Sequence, residues 1–211
     1  MNNKKALILD LDYTIFPTNL ISKEILQPFF DSIFENLSSI FSLEIIKKIE
    51  NDLWLDSWDR VIEKYKIPFP IFLKSVSILE SNPPKLEIST YDDYEVLQNL
   101  KIDKFLVTSG LTSLQEAKIK ALKLEKDFKK IIINDRLIEK STKVDIFKNL
   151  IHEYSLNPSQ TYVIGDNPHA EIHAGNQLNL ITIQILRDKV LKGNNAKYYI
   201  KTFSDLEKII F

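Results

Sequence analysis

The sequence contains no cysteine in 211 residues. That excludes disulfides, thiolate nucleophiles and cysteine metal sites, and it accords with a reducing compartment. Long apolar runs are missing as well. ALIL at 6–9, behind the N-terminal lysines, stops at Asp10, far short of a signal peptide or a membrane span. A cytoplasmic protein without a membrane partner is therefore expected. Neither sign of charge dominates: 28 Lys and Arg stand against 29 Asp and Glu, mixed along the chain. With no basic stripe, nucleic acid is not expected as a partner. There is no internal repeat and no low-complexity tract. What is present, 44% hydrophobic and 27% charged residues, is ordinary for a globular chain. The length suits one sizeable domain or a core domain with a smaller insertion.

Short runs rich in Ile, Leu and Val, at 6–9 (ALIL), 104–108 (KFLVT), 130–134 (KIIIN), 161–165 (TYVIG) and 180–186 (LITIQIL), have the length of buried strands. Helical patterns lie between them at roughly 112–123, 141–154 and 168–178. Strands alternating with helices of that length make parallel βαβ units, so the expected fold class is α/β, a doubly wound parallel, Rossmann-like sheet. The tail NNAKYYIKTFSDLEKII from Asn194 reads as a final short strand and helix, with Ser204 as its candidate N-cap.

The interval from 10 to 103 breaks that rhythm. It holds SKEILQPFFDSIFENLS (22–38), SLEIIKKIENDLW (42–54) and DSWDRVIEKYKI (56–67), each with apolar residues at helical spacing and Ser or Asp near its start. IPFPIFLK follows, and SNPPK at 81–85 is a turn-rich exit. No simple crossover is this large. The interval predicts a mostly helical cap domain over 16–85, inserted into a core of 1–15 and 86–211.

Parallel α/β sheets bind ligands beyond the carboxyl ends of their strands. The first strand delivers Asp10, Asp12 and Thr14 there; on an extended segment two acids two apart can share one side. KFLVT delivers Thr108, Ser109 and Gly110, and TYVIG delivers Asp166 and Asn167, with Glu171 shortly after. Lys143 stands near the start of the preceding helix. Acids meeting at one edge repel unless a cation neutralises them, and oxygen donors without cysteine point to Mg²⁺. A hydroxyl, backbone amides of Ser109 and Gly110 and a lysine suit the oxygens of a transferring phosphoryl group.

DLDYT, LVTSG, a downstream lysine and GDNPHAE resemble, in order, the four motifs of the haloacid dehalogenase (HAD) superfamily, across about two thirds of the chain. The helical insertion resembles that family's type-one cap. The resemblance implies that Asp10 attacks phosphorus and forms an aspartyl-phosphate. Asp12 would protonate the leaving alcohol and then activate water, a second acid that the family's dehalogenases do not use. It further implies Mg²⁺ held by Asp10, the Asp12 carbonyl and Asp166, with Glu171 in or beside its shell. Thr14, Thr108, Ser109, Gly110 and Lys143 would bind the substrate phosphate. The third motif departs from the family pattern: EKSTKVDIF lacks the usual Lys-Pro pair, and Lys143 is preferred over Lys140 because it should open a helix.

The implied activity is a Mg²⁺-dependent phosphohydrolase acting on a small phosphorylated metabolite, of the sugar phosphate or nucleoside monophosphate class, as a monomer or homodimer. A phosphomutase of the same superfamily and a phospho-accepting or non-catalytic binding protein are the open alternatives. Plainer readings exist for other residues. His169 and His173 have a spacing that can seat zinc, yet no cysteine completes such a site, and His169 is better placed at the rim of the acidic edge. Trp54, Trp58, Phe29, Phe30, Phe69 and Phe72 read mostly as cap core, with one or two lining a pocket.

Overall fold

The computed structural model describes residues 5–55 and 58–211. Lys4 and the pair Asp56–Ser57, which were expected to open the third helical pattern, lie outside the described residues. Among the described residues, six strands form one parallel sheet: β1 (Ala6–Leu9), β2 (Asp103–Ser109), β3 (Lys130–Asn134), β4 (Thr161–Gly165), β5 (Ile181–Ile185) and β6 (Tyr198–Ile200). Their order is β3-β2-β1-β4-β5-β6, every neighbouring pair parallel. The chain leaves β1 in both directions across the sheet, which puts the topological switch point, and the crevice that goes with it, at the carboxyl end of β1.

The alternation along β1 shows why these residues make a central strand. Leu7 and Leu9 point into one apolar cluster with Leu106, Ile164, Ile183 and Phe203. Ala6 and Ile8 point into another, with Phe105, Val107, Phe147, Leu150 and Val163. All four are at most 1% exposed, so the strand is apolar on both faces because both are covered. Of the core helices, α5 (Tyr94–Asn99) and α6 (Thr112–Ala121) pack on the first face, and α7 (Lys143–Glu153) and α8 (Glu171–Gln177) on the second. The α5 segment was not anticipated: six residues are too few to show a helical period.

A separate apolar cluster belongs to α1 (Gln27–Leu37), α2 (Leu43–Leu55), α3 (Trp58–Tyr65) and α4 (Phe69–Ser81). Phe29, Ile33, Ile49 and Phe72 sit at its centre, and Leu111 and Leu114 from the α6 region join it from the core side. The helix α4 starts inside IPFPIFLK, whose two prolines mask the helical period. Its Pro70 falls in the first turn, where an amide has no intrahelical partner to lose, so the proline does not break it. A buried hydroxyl pair, Ser32 with Ser75 at 3.0 Å, ties α1 to α4. At the C-terminus, a short 3₁₀ turn over Phe203–Leu206 leads into α9 (Glu207–Ile210). Its N-cap is Thr202, whose amide donates to Asp205, and not Ser204, which lies within the turn.

Candidate active site

Asp10 is the first residue past β1, and its amide still donates to the Ile164 carbonyl at 3.0 Å. The chain then folds back. The Leu11 carbonyl accepts from the amides of Thr14 (3.3 Å), Ile15 (2.9 Å) and Phe16 (3.1 Å), with Tyr13 in the left-handed region at φ 53°. Such a conformation is uncommon for a bulky residue and is held here by that ring of amides. Asp10 and Asp12 are therefore not brought together by strand alternation, as the spacing suggested. A tight turn places Asp12.

Arg187 fixes the turn from behind. Its guanidinium donates to both carboxylate oxygens of Asp93 (2.8 and 2.9 Å) and to the Thr14 carbonyl (3.2 and 3.3 Å), and lies over the rings of Tyr91 and Phe203. Thr14 is wholly buried, its hydroxyl without a partner. It does not line the cavity beside the acidic edge, a position it shares with Asp10, Thr108 and Lys143.

Lys143 is the first residue of α7, positioned by a reciprocal cap: Thr142 donates its amide (2.9 Å) and hydroxyl (2.6 Å) to Asp145 and accepts the Asp145 amide at 3.2 Å. Its ammonium meets Asp10 at 2.7 Å and also pairs with Glu171. Lys140 is exposed in the preceding loop. Burial pushes the Asp10 carboxyl above its usual range; Lys143 pulls it back and Asp12 adds to the rise. Asp166 is pushed up to about 7, by burial first and then by Asp10.

Asp12 has the opposite environment. Burial alone would raise it, but Lys118 at 2.8 Å, Gln115 at 2.9 Å and Thr18 at 2.7 Å hold it below the usual carboxylate range. The same Gln115 amide donates to the Thr108 hydroxyl at 2.5 Å. Gln115 and Lys118 were missed in the sequence. The available signal was their spacing on α6, three apart and so on one face, directly after the LVTSG segment. Both are almost fully buried, which is rare for a lysine without a task.

Thr108 is buried at the end of β2, and Ser109 and Gly110 line the adjoining cavity. Gly110 holds φ 146°, which side-chain-bearing residues rarely adopt. Its amide already donates to the Asn134 carbonyl at 3.2 Å, so in this conformation it is not free for a phosphate oxygen, contrary to expectation. Gly165 has a different reason to be glycine. A Cβ there would come within 2.7 Å of Glu171, so its bare Cα makes the room in which Glu171 reaches Lys143. His169 and His173 are both exposed.

Whether these residues suit a cation can be judged from their chemistry. Asp10, Asp166 and Glu171 bring three acids to the edge, and among the described residues Lys143 ion-pairs with Asp10 and Glu171 and not with Asp166. One Glu171 oxygen is buried without a partner, and Asp166 is pushed toward protonation. Oxygen donors with surplus negative charge fit a hard divalent cation. Among the described residues no three acidic or histidine side chains are already gathered as a cage. The fit is to two side-chain carboxylates with a backbone carbonyl and water.

Beside Asp12, Ser109 and Gly110 lies a cavity of about 190 Å³, walled on its far side by Trp54 and Trp58. It does not extend to Asp10 or Lys143. Among the described residues no helix is long and apolar enough to cross a membrane.

The family model described as haloacid dehalogenase-like hydrolase matches residues 7–185. No curated protein matches the chain in sequence. Similar solved structures include a HAD phosphatase from Thermococcus onnurineus, at 23% identity and TM-score 0.67, covering 98% of this chain and 97% of that one. The HAD-hydrolase YfnB from Bacillus subtilis, bound to magnesium, is 19% identical with TM-score 0.64, covering 98% of each chain. A dehalogenase solved with an intermediate complex is 14% identical with TM-score 0.61, covering 100% of this chain and 98% of that one. At these identities the likeness is one of fold.

Proposed function

Because the chain belongs to the haloacid dehalogenase-like hydrolases, we propose that it is a phosphohydrolase that cleaves a small phosphate monoester through an aspartyl-phosphate on Asp10. The observation that carries the choice of phosphate over halide is Asp12, a second carboxylate held ionised at the mouth of the cavity where a leaving group would sit. A dehalogenase has no proton to give to a departing halide and no use for this group.

Asp12 takes up a proton from solvent as the phosphoryl group arrives; Asp10 then attacks phosphorus as the bond to the ester oxygen breaks, and Asp12 delivers that proton to the oxygen, which leaves as the alcohol. The arriving phosphoryl charge beside Asp12 raises its affinity for that proton against the pull of Lys118. Water then attacks the phosphorus of the aspartyl-phosphate; Asp12 takes its proton, and inorganic phosphate leaves with Asp10 restored. Lys143 orients Asp10 and, with the Thr108 hydroxyl, faces the non-bridging oxygens. Glu171 keeps Lys143 in place. Asp10, Asp166 and the Asp12 carbonyl would hold Mg²⁺, with the free Glu171 oxygen next to it. When bound, the ion neutralises the clustered carboxylates and the phosphoryl charge. The α1–α4 layer, within the proposed cap of 16–85, covers the site and excludes bulk water during attack.

The test is phosphate release from a panel of small esters, with Mg²⁺ and with EDTA, for wild type and Asp10→Asn. Mg²⁺-dependent release that is lost in the folded variant is the expected result. Release from Asp10→Asn at the wild-type rate would overturn the nucleophile.

A further inference from the structure

Resting on that reading, we infer that the leaving group is a small alcohol carrying a flat, uncharged and mostly apolar ring, seated between the tryptophans of the helical layer and the leucines of the core. The cavity shares Asp12, Ser109 and Gly110 with the reacting edge and runs away from Asp10 and Lys143, so it begins where the ester oxygen departs. Its walls are Leu26, Leu53, Trp54 and Trp58 on one side and Leu111 and Leu114 on the other. Trp58 is fixed by stacking on Phe29 at 4.6 Å between centroids and by donating its Nε1–H to the Leu53 carbonyl, and Trp54 stacks on Phe30. The apolar wall is thus rigid before any ligand arrives.

Most polar groups on the cavity are committed elsewhere; the exception is the Trp54 Nε1–H, buried without a partner, which leaves one donor for an acceptor on the ring. Lys118 and Gln115 are spent on Asp12, and Asp135 accepts from the amide and hydroxyl of Thr112 and the amide of Leu137. Arg136 pairs with Asp59 of α3 at 3.1 Å across the two layers. A sugar would bury several hydroxyls against leucine and tryptophan, each unpaired group at a penalty. A second phosphate or carboxylate would find these cations already paired. The volume points the same way: an apolar cavity of about 150 Å³ admits benzene, and this one, about 190 Å³, admits a ring slightly larger. A ring-bearing ester is thus favoured over the sugar phosphate and nucleoside monophosphate classes expected from the family resemblance.

The experiment compares kcat/KM for benzyl phosphate, ethyl phosphate and glucose 6-phosphate on the full chain with Mg²⁺. It is paired with a tryptophan fluorescence titration by benzylphosphonate, ethylphosphonate and glucose. The sequence has two tryptophans, Trp54 and Trp58, so the signal reports this wall alone. Transfer of the ring out of water predicts benzyl phosphate ahead of both others by roughly 10- to 100-fold, and a saturable fluorescence change with benzylphosphonate only. Leu114→Asn, which sets a polar group in the wall, should bring the benzyl-to-ethyl ratio near one; an unchanged ratio in that folded variant overturns the pocket. Hydrolysis with glucose 6-phosphate or ethyl phosphate equal or better overturns the ring inference and leaves the phosphohydrolase reading standing. No hydrolysis of any ester, with saturable binding of benzylphosphonate alone, supports the pocket and overturns that reading. Neither hydrolysis nor binding overturns both.

Discussion

Replacing Lys118 by methionine keeps the length and packing of a buried side chain and removes the charge beside Asp12. The Lys118 ammonium stands 2.8 Å from Asp12, the two side chains being 5% and 25% exposed. Removing one partner of a buried pair costs about 3–5 kcal/mol. Asp12 is a quarter exposed and keeps Gln115 and Thr18, so a loss of about 2–3 kcal/mol is expected here. In a chain of this size that lowers the melting temperature by roughly 5–10 °C. The sign with pH follows from Asp12. Its folded pKa lies below the unfolded 3.8, so the pair contributes stability above that pH and loses it as the pH falls through the folded value. Without Lys118, burial carries Asp12 upward, and the variant takes up a proton at a pH where wild type does not. The deficit should be full at pH 7.5 and shrink as the pH approaches 4. Thermal unfolding of both proteins across that range measures it, and the acid limb of the pH–rate profile should move upward with it. A variant within about 1 °C of wild type at pH 7.5, or a deficit that does not change with pH, would refute the argument that Lys118 holds Asp12 ionised.

Two other perturbations test the same edge. Gly165→Ala sets a Cβ 2.7 Å from Glu171 Cγ, which must shift and release Lys143; turnover should fall about 100-fold with the fold retained. An unchanged rate would mean that Glu171 does not position the lysine. Asp166, raised from 3.8 to about 7, contributes stability that is present below pH 4 and lost as the pH rises through 7. Its proton and a divalent cation compete, so Mg²⁺ should raise the melting temperature more at pH 8 than at pH 5.5; equal shifts at the two would remove Asp166 from the cation site.

The strands and their alternation with helices were legible because a parallel sheet covered on both faces demands continuous Ile, Leu and Val, and ALIL, KIIIN and TYVIG show that directly. Order along the chain also placed Asp10, Thr108 and Asp166 at one edge, since every parallel strand ends there. Lys143 could be expected in a first helical turn because STKVD carries its own cap. Helices too short or too rich in proline to display a period, α5 and α4, stayed hidden. Beyond that, contact across the fold decides. Lys118 and Gln115 become partners of Asp12 only when α6 is laid against the turn after β1, more than a hundred residues away in the chain. Arg187 binds the Thr14 carbonyl from 173 residues away in the chain, and the Asn134 carbonyl occupies the Gly110 amide. The sequence by itself determined which chemistry-bearing groups reach the edge, because strand direction is a local property. Which of them are free, charged or sealed off depends on partners distant in the chain, and so does the apolar wall of Trp54 and Trp58; tertiary packing alone assigns those.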